Sequence, residues 1–220
     1  MIEAGEYGDM VSEWRPFVLS KPIECAMFFF KKPSVSTLRD FLDSQAGLDF
    51  TYPAVGATAT DPPSGYVLDH TRIRLGTGRS IFMKAKGALQ RWQHFQLGWV
   101  EPCWPDTAIE RGRIVAVLGR ACGLWCLNAC RIVYVVDENG TVERYGFAYG
   151  TLPEHVESGE ERFIVEWQEI DDSVWYDILA FSRPNQLLVR LGYPVVRRLQ
   201  KRFARDSAAA MLRAVRSELG

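Results

Sequence analysis

The sequence predicts an α+β fold, a curved antiparallel sheet of about seven strands gripping a long C-terminal helix. Three observations carry that expectation. One alternating segment and one amphipathic helix come before a series of six strand-like segments. Asn139-Gly140 and Asp171-Asp172-Ser173 are hairpin-type turns within that series, which antiparallel neighbours allow and parallel ones do not. After Pro194 the apolar period returns to that of a helix.

Residues 1–33 show no clear period and read as an N-terminal extension, followed by a single domain over residues 34–218. A short helix is expected over 36–46, capped by Ser34 or Ser36 and ended by Gly47. Tyr52-Pro53 and Asp61-Pro62-Pro63-Ser64-Gly65 are loop chemistry. Residues 66–75 alternate, with Val67, Ile73 and Leu75 on one face and Tyr66, Leu68 and His70 on the other. Gly76-Thr77-Gly78 breaks that strand. Ile81, Phe82, Ala85, Leu89 and Trp92 then recur at helical spacing, which makes 79–93 an amphipathic helix.

Strands follow at 97–101, 113–118, 124–136, 143–151, 161–170 and 174–182. Beyond Ser182-Arg183-Pro184, an apolar stripe runs through Leu188, Leu191, Val195, Leu199 and Phe203 and continues to Leu219. Gly192 and Pro194 break or kink this run, and proline suits a first helical turn, so the main helix begins near Pro194. Its stripe has only the sheet to cover. This element order resembles the helix-grip fold of START and Bet v 1-like proteins, in which a curved sheet grips a terminal helix and encloses a cavity.

With 220 residues, 47% of them hydrophobic, the chain buries a core without covalent staples. A net charge of -1 gives no overall pull towards nucleic acid or membrane. The charge is nevertheless unevenly placed: eight acids meet one base between Glu154 and Asp172, and nine bases meet one acid between Arg183 and Arg216. Either the two segments screen each other, or the helix offers a basic face to nucleic acid or another anionic partner. Five cysteines, three of them in one apolar run, argue for a reducing compartment rather than a disulfide framework. The first thirty residues have no basic region leading into an apolar core, so no signal peptide or membrane span is expected and the expected location is cytoplasmic.

The stretch Arg144 to Phe163 carries most of the chemistry. In strand 143–151, Tyr145, Phe147, Tyr149 and Thr151 share one face, while Gly146, Ala148 and Gly150 share the other. Glycines in a strand mark a close approach, either by the C-terminal helix or a neighbouring ring, or by a ligand. His155 beside Glu160 offers a general acid/base pair, although Glu160 and Glu161 point to opposite faces unless a bulge intervenes. The alternative is a solvated, ion-paired hairpin tip. His70 and His94 sit near apolar positions, as core or boundary residues. Arg131 lies in an apolar strand and needs a partner, for which Asp177 is the candidate, or an anionic ligand. Cys122, Cys126 and Cys130 are too widely spaced along a strand to hold one zinc. No cofactor motif and no metal-ligand pair is present.

Five segments, FTYPAVGAT (Phe50 to Thr58), GYVLDHTRIRLGTG (Gly65 to Gly78), ALQRWQHF (Ala88 to Phe95), RYGFAYGTLPEHVESGEERF and AFSRP (Ala180 to Pro184), resemble uncharacterised protein family 0548. The resemblance spans about Ser34 to Arg216 and is most specific in YGTLPEHVESGEERF. It implies a single domain of the helix-grip group and brings no catalytic residues.

The leading expectation is a protein that binds a small, largely apolar molecule between sheet and C-terminal helix. Its polar contacts would come from His70, Arg131, Tyr149, His155, Glu160, Arg162 and Arg183. An acid/base cyclase, isomerase or hydrolase using His155 or His70 with Glu160 is the alternative. A third is an anionic-partner protein using the basic helix.

Overall fold

The computed structural model describes residues 27–185 and 192–216. Its strands are β1 (Met27–Phe29), β2 (Val67–Thr77), β3 (Val100–Pro102), β4 (Ile114–Ala121), β5 (Leu124–Glu138), β6 (Val142–Thr151), β7 (Glu157–Gln168) and β8 (Ser173–Pro184). The helices are α1 (Val35–Gln45), α2 (Arg79–Gln90) and α3 (Tyr193–Arg216), with 3₁₀ turns at Ala57–Ala59 and Gln93–Phe95.

Seven strands pair in the order β2-β8-β7-β6-β5-β4-β3, every pair antiparallel. The architecture is the expected helix-grip: residues of β2 and of β4, near opposite ends of that order, line one cavity beneath α3, so the sheet curls round the helix. The eighth strand, β1, pairs with β5 through Met27↔Leu127 to Phe29↔Trp125. It belongs to the segment expected to be an extension, so the end of that segment is part of the sheet.

The inner face holds the main core. Phe147, Phe163, Val165, Tyr176 and Ile178 from the sheet meet Phe82, Ala85 and Leu89 of α2 and Met211 and Val215 of α3. On the outer face, Leu38 and Phe41 of α1 cover Ala116, Leu118, Leu127 and Ala129. The Ser34 hydroxyl accepts from the Thr37 amide at 3.2 Å, which settles the capping residue of α1.

Several boundaries differ from expectation. β2 is not broken at Gly76 but runs through Gly76 and Thr77, which pair with Val174 and Ser173 beyond a register shift. Two others move for clear physical reasons. β7 starts at Glu157 rather than residue 161, because Glu157 to Glu160 continue the ladder with β8. A Cβ at Gly159 would overlap the Phe181 carbonyl oxygen, so the strand passes there on a glycine. α2 stops at Gln90, two residues before Trp92 enters the left-handed region at φ 54° and begins the 3₁₀ turn. The leading part of the C-terminal stripe, residues 186–191, lies outside the described residues.

Candidate functional site

Strand alternation divides the polar residues of β6, β7 and β8 between two unlike environments. The inner face opens into a cavity of about 300 Å³ between the sheet and the first turns of α3. Its aromatic walls are Phe95, Trp99, Tyr149 and Phe203, and Val117, Ile178, Val196 and Leu199 complete the apolar lining. α3 is thus used twice. Met211 and Val215 anchor its C-terminal half in the core, while Val196, Leu199, Gln200 and Phe203 roof the cavity.

Two carboxyls enter this apolar space from β7. Glu161 accepts the Tyr149 hydroxyl at 2.8 Å. Burial pushes its pKa up to about 8; the Tyr149 hydrogen bond opposes that shift and the nearby Glu157 and Asp69 add to it. Glu157 is pushed up to about 7, again mainly by burial, against smaller opposing effects of Ser182 and Arg197. Both carboxyls are held closer to neutral form than in water.

At the rim, α3 is tied to three strands. Arg197 forms a two-point ion pair with Asp69 of β2, its Nη2 donating at 2.7 Å. Gln200 Nε2 donates to Glu157 of β7 and, at 2.9 Å, to Ser182 of β8. His155 lines the same cavity. Its Nδ1 lies 3.0 Å from the Glu157 amide nitrogen and 3.2 Å from the Glu157 carbonyl oxygen, so the main chain of β7 holds the ring in place. Burial lowers its pKa to about 4, so the ring is uncharged near neutrality.

The outer face carries the other half of the hairpin's charge. Glu160 is 2% exposed and accepts four hydrogen bonds, from the Tyr52 hydroxyl (2.7 Å), the Gly56 amide (2.7 Å), the Thr58 amide (3.0 Å) and the Thr58 hydroxyl (2.5 Å). Arg162 donates to the Thr58 carbonyl at 2.8 Å and to Asp177 at 3.0 Å. Asp177 also meets His70 Nε2 at 2.7 Å and Arg72 at 3.4 Å. Burial alone would raise the Asp177 pKa, but the hydrogen bonds from His70 and Arg162 outweigh it and leave the group below the ordinary carboxylate value. Arg72 and Arg144 hold Glu166 from two sides, each at 2.7 Å. Together with Gln168 they overcome the burial penalty and bring its pKa down to about 2.

Of the seven residues singled out in the sequence, the structure brings Tyr149 and His155 to the cavity. Glu160 contributes to the cavity wall, but its carboxylate is bound on the opposite face by the loop 52–58, so it pairs with neither histidine. His70 and Arg162 join it on that outer face. Arg131 does not meet Asp177. It donates to the Gln45 and Ala46 carbonyls at 3.3 and 3.0 Å, at the C-terminal end of α1, where the helix dipole attracts a cation. Arg183 is exposed and stands 4.6 Å from the Tyr66 ring centroid.

The close approach signalled by Gly150 is made by a ring: a Cβ there would overlap the Tyr52 hydroxyl. At Gly146 it is the backbone of Phe163 and Ile164 that comes near. His94 is a core residue, completely buried among Trp92, Phe95, Phe147 and Phe163. Reading the sequence missed Glu157, Glu161, Asp69 and Gln200. In the ladder Tyr149 pairs with Glu161 and Phe147 with Phe163, which puts Glu161 on the aromatic face.

No helix among the described residues is long and apolar enough to cross a membrane. Residues 51–210 match a family model described as "Domain of unknown function (DUF1990)". A UPF0548 protein of Dictyostelium discoideum is 40% identical over 210 residues, covering 87% of this chain and 97% of that protein. A UPF0548 protein of Arabidopsis thaliana is 37% identical over 157 residues, covering 69% of this chain and 74% of its own length. Among solved structures, a hypothetical protein of Helicobacter pylori aligns with a TM-score of 0.47 at 9% identity, over 76% of this chain and 96% of that one. The protein Ara h 8.0201 aligns with a TM-score of 0.41 at 8% identity, over 67% and 99%.

Proposed function

The chain belongs to the UPF0548 (DUF1990) family, and we propose that it binds a small, largely apolar molecule in the cavity between the sheet and α3. The cavity itself carries this reading: about 300 Å³ of mostly apolar space with a few placed polar groups is the usual form of a small-molecule site. Tyr149, His155, Glu157 and Glu161 are its polar contacts. On the outer face Glu160 and Arg162 hold the loop 52–58 to the sheet, and Asp177 pairs with Arg162 and His70. We assign the protein to the cytoplasm, in keeping with the free thiols of Cys103, Cys122, Cys126 and Cys130. The domain is taken to span residues 34–218, with β1 docked on its sheet.

An anionic partner on α3 has less support. Arg197 is committed to Asp69, Arg202 and Arg205 pair with Asp206, and Arg202 also lies 4.3 Å from the Trp99 ring centroid.

Native mass spectrometry of the protein purified from its own host tests the proposal. A retained small molecule, lost when Ile178→Trp fills the cavity, is the expected result. Absence of any retained species, together with equal uptake of an apolar fluorescent probe by wild type and Ile178→Trp, would overturn it.

One observation favours a second reading. Glu157 and Glu161, held near pKa 7 and 8, are suited to proton transfer at neutral pH. An acid/base enzyme on this fold would use them, with Tyr149, in place of a His–Glu160 pair. Glu161→Gln would then abolish turnover of the retained molecule even at concentrations that saturate the variant.

A further inference from the structure

The cavity has a sign. Of the groups facing Glu161, Tyr149 on β6 donates one hydrogen bond, Glu157 on its own strand and Asp69 on β2 are acids, and burial keeps Cys130 of β5 and Tyr176 of β8 protonated. From α3, Arg197 is spent on Asp69, and Gln200 is spent on Glu157 and Ser182. The 3₁₀ turn contributes the apolar Phe95. His155 is neutral. Arg120 also lines the cavity, but its guanidinium lies 5.5 Å from the Trp125 ring centroid. The Tyr149 hydroxyl reaches Glu161 Oε2, and no protein donor meets Oε1 among the described residues. Two carboxyls thus enter an aromatic-walled space with no basic side chain committed to Glu161.

We propose, resting on the reading of the cavity as a small-molecule site, that it selects ligands carrying a protonated amine over their neutral and anionic isosteres. The ammonium donates to the open oxygen of Glu161, with Glu157 four residues away on the same face of β7, and the apolar body lies against Phe95, Trp99 and Phe203. A hydrogen bond between two charged groups out of water is stronger than one to a neutral donor. A face of an aromatic ring also attracts a cation. At Glu161 an anionic ligand finds no basic side chain, and it meets like charge once the carboxyls ionise. Burial keeps Glu161 protonated near neutrality, so the ammonium displaces a proton and binds more tightly as pH rises.

Three ligands of one shape test this on the full chain: 2-naphthylmethylamine, 2-naphthalenemethanol and 2-naphthoate, titrated by calorimetry at pH 6 and pH 8. The expected result is amine binding about tenfold or more tighter than alcohol, with naphthoate weakest, in line with the strength of charge-assisted hydrogen bonds. The margin should widen from pH 6 to pH 8, and Glu161→Gln should remove the advantage of the amine over the alcohol. Alcohol or naphthoate binding as tightly as the amine would overturn the inference and leave the cavity reading standing. Should none of the three bind, the cavity reading falls and the inference with it. If Glu161→Gln does not fold, Glu157→Gln and the wild-type pH series still decide: an amine preference that is the same at both pH values and in Glu157→Gln overturns the proposal.

Discussion

Tyr149 and Glu161 are register partners on β6 and β7, and the phenol donates to the carboxyl at 2.8 Å inside the cavity. This single hydrogen bond is the protein group that most favours the ionised form of Glu161 against burial. Tyr149→Phe should raise the Glu161 pKa further above 8, as followed by carboxyl carbon chemical shifts. Its cost in stability should be about 1 kcal/mol, the usual net value of one hydrogen bond.

Stability should fall as the solution becomes alkaline. Glu157 and Glu161 have folded pKa values of about 7 and 8, above the ordinary 4.5, so the folded state binds more protons than the unfolded one between those limits. Their contribution is complete below pH 4.5 and is lost as pH rises through 7 to 8. His155 and His94 act the other way. Depressed to about 4 and 3 from 6.5, they contribute fully above pH 6.5 and lose it as pH falls. The two effects offset each other between pH 4.5 and 6.5. Urea unfolding should therefore show a plateau there and then a decline to pH 8, of up to about 1.4 kcal/mol per pH unit for each carboxyl still protonated. Glu161→Gln should flatten the decline.

The order of elements was legible because turn signals and changes of apolar period fall at the ends of the strands and helices. The phase of β7 was not. Phe163-Ile164-Val165 is apolar on both faces, so local alternation does not say whether Glu160 or Glu161 looks inward. Arg131 was equally opaque, since its partners are main-chain carbonyls at the end of α1, which no side chain announces. Glu160 hid for the same reason: two of its four donors are amides of Gly56 and Thr58, about a hundred residues earlier in the chain.

Glu160→Gln should destabilise the protein by about 2–4 kcal/mol, because an amide group turns N–H towards donors that a carboxylate satisfied. Thermal unfolding reads the loss. Binding of an apolar probe in the cavity should be unchanged at temperatures where the variant is folded, since the carboxylate is bound on the other face of the sheet.

Gly150→Ala should cost about 1–3 kcal/mol, the range for forcing an added methyl into a closely packed site. The cause is specific, so the cost should shrink in a Tyr52→Ala background. A double-mutant cycle by chemical denaturation gives the coupling, which should be at least about 1 kcal/mol.

α3 resembles a beam clamped at one end. Its last turns are built into the core through Met211 and Val215, whereas its first turns span open space and are moored by Arg197 to Asp69 and by Gln200 to Glu157 and Ser182. Deflecting the free end severs those moorings and leaves the clamp intact. Opening of the cavity and endurance of the fold therefore rest on different residues, and one can be altered by mutation without spending the other.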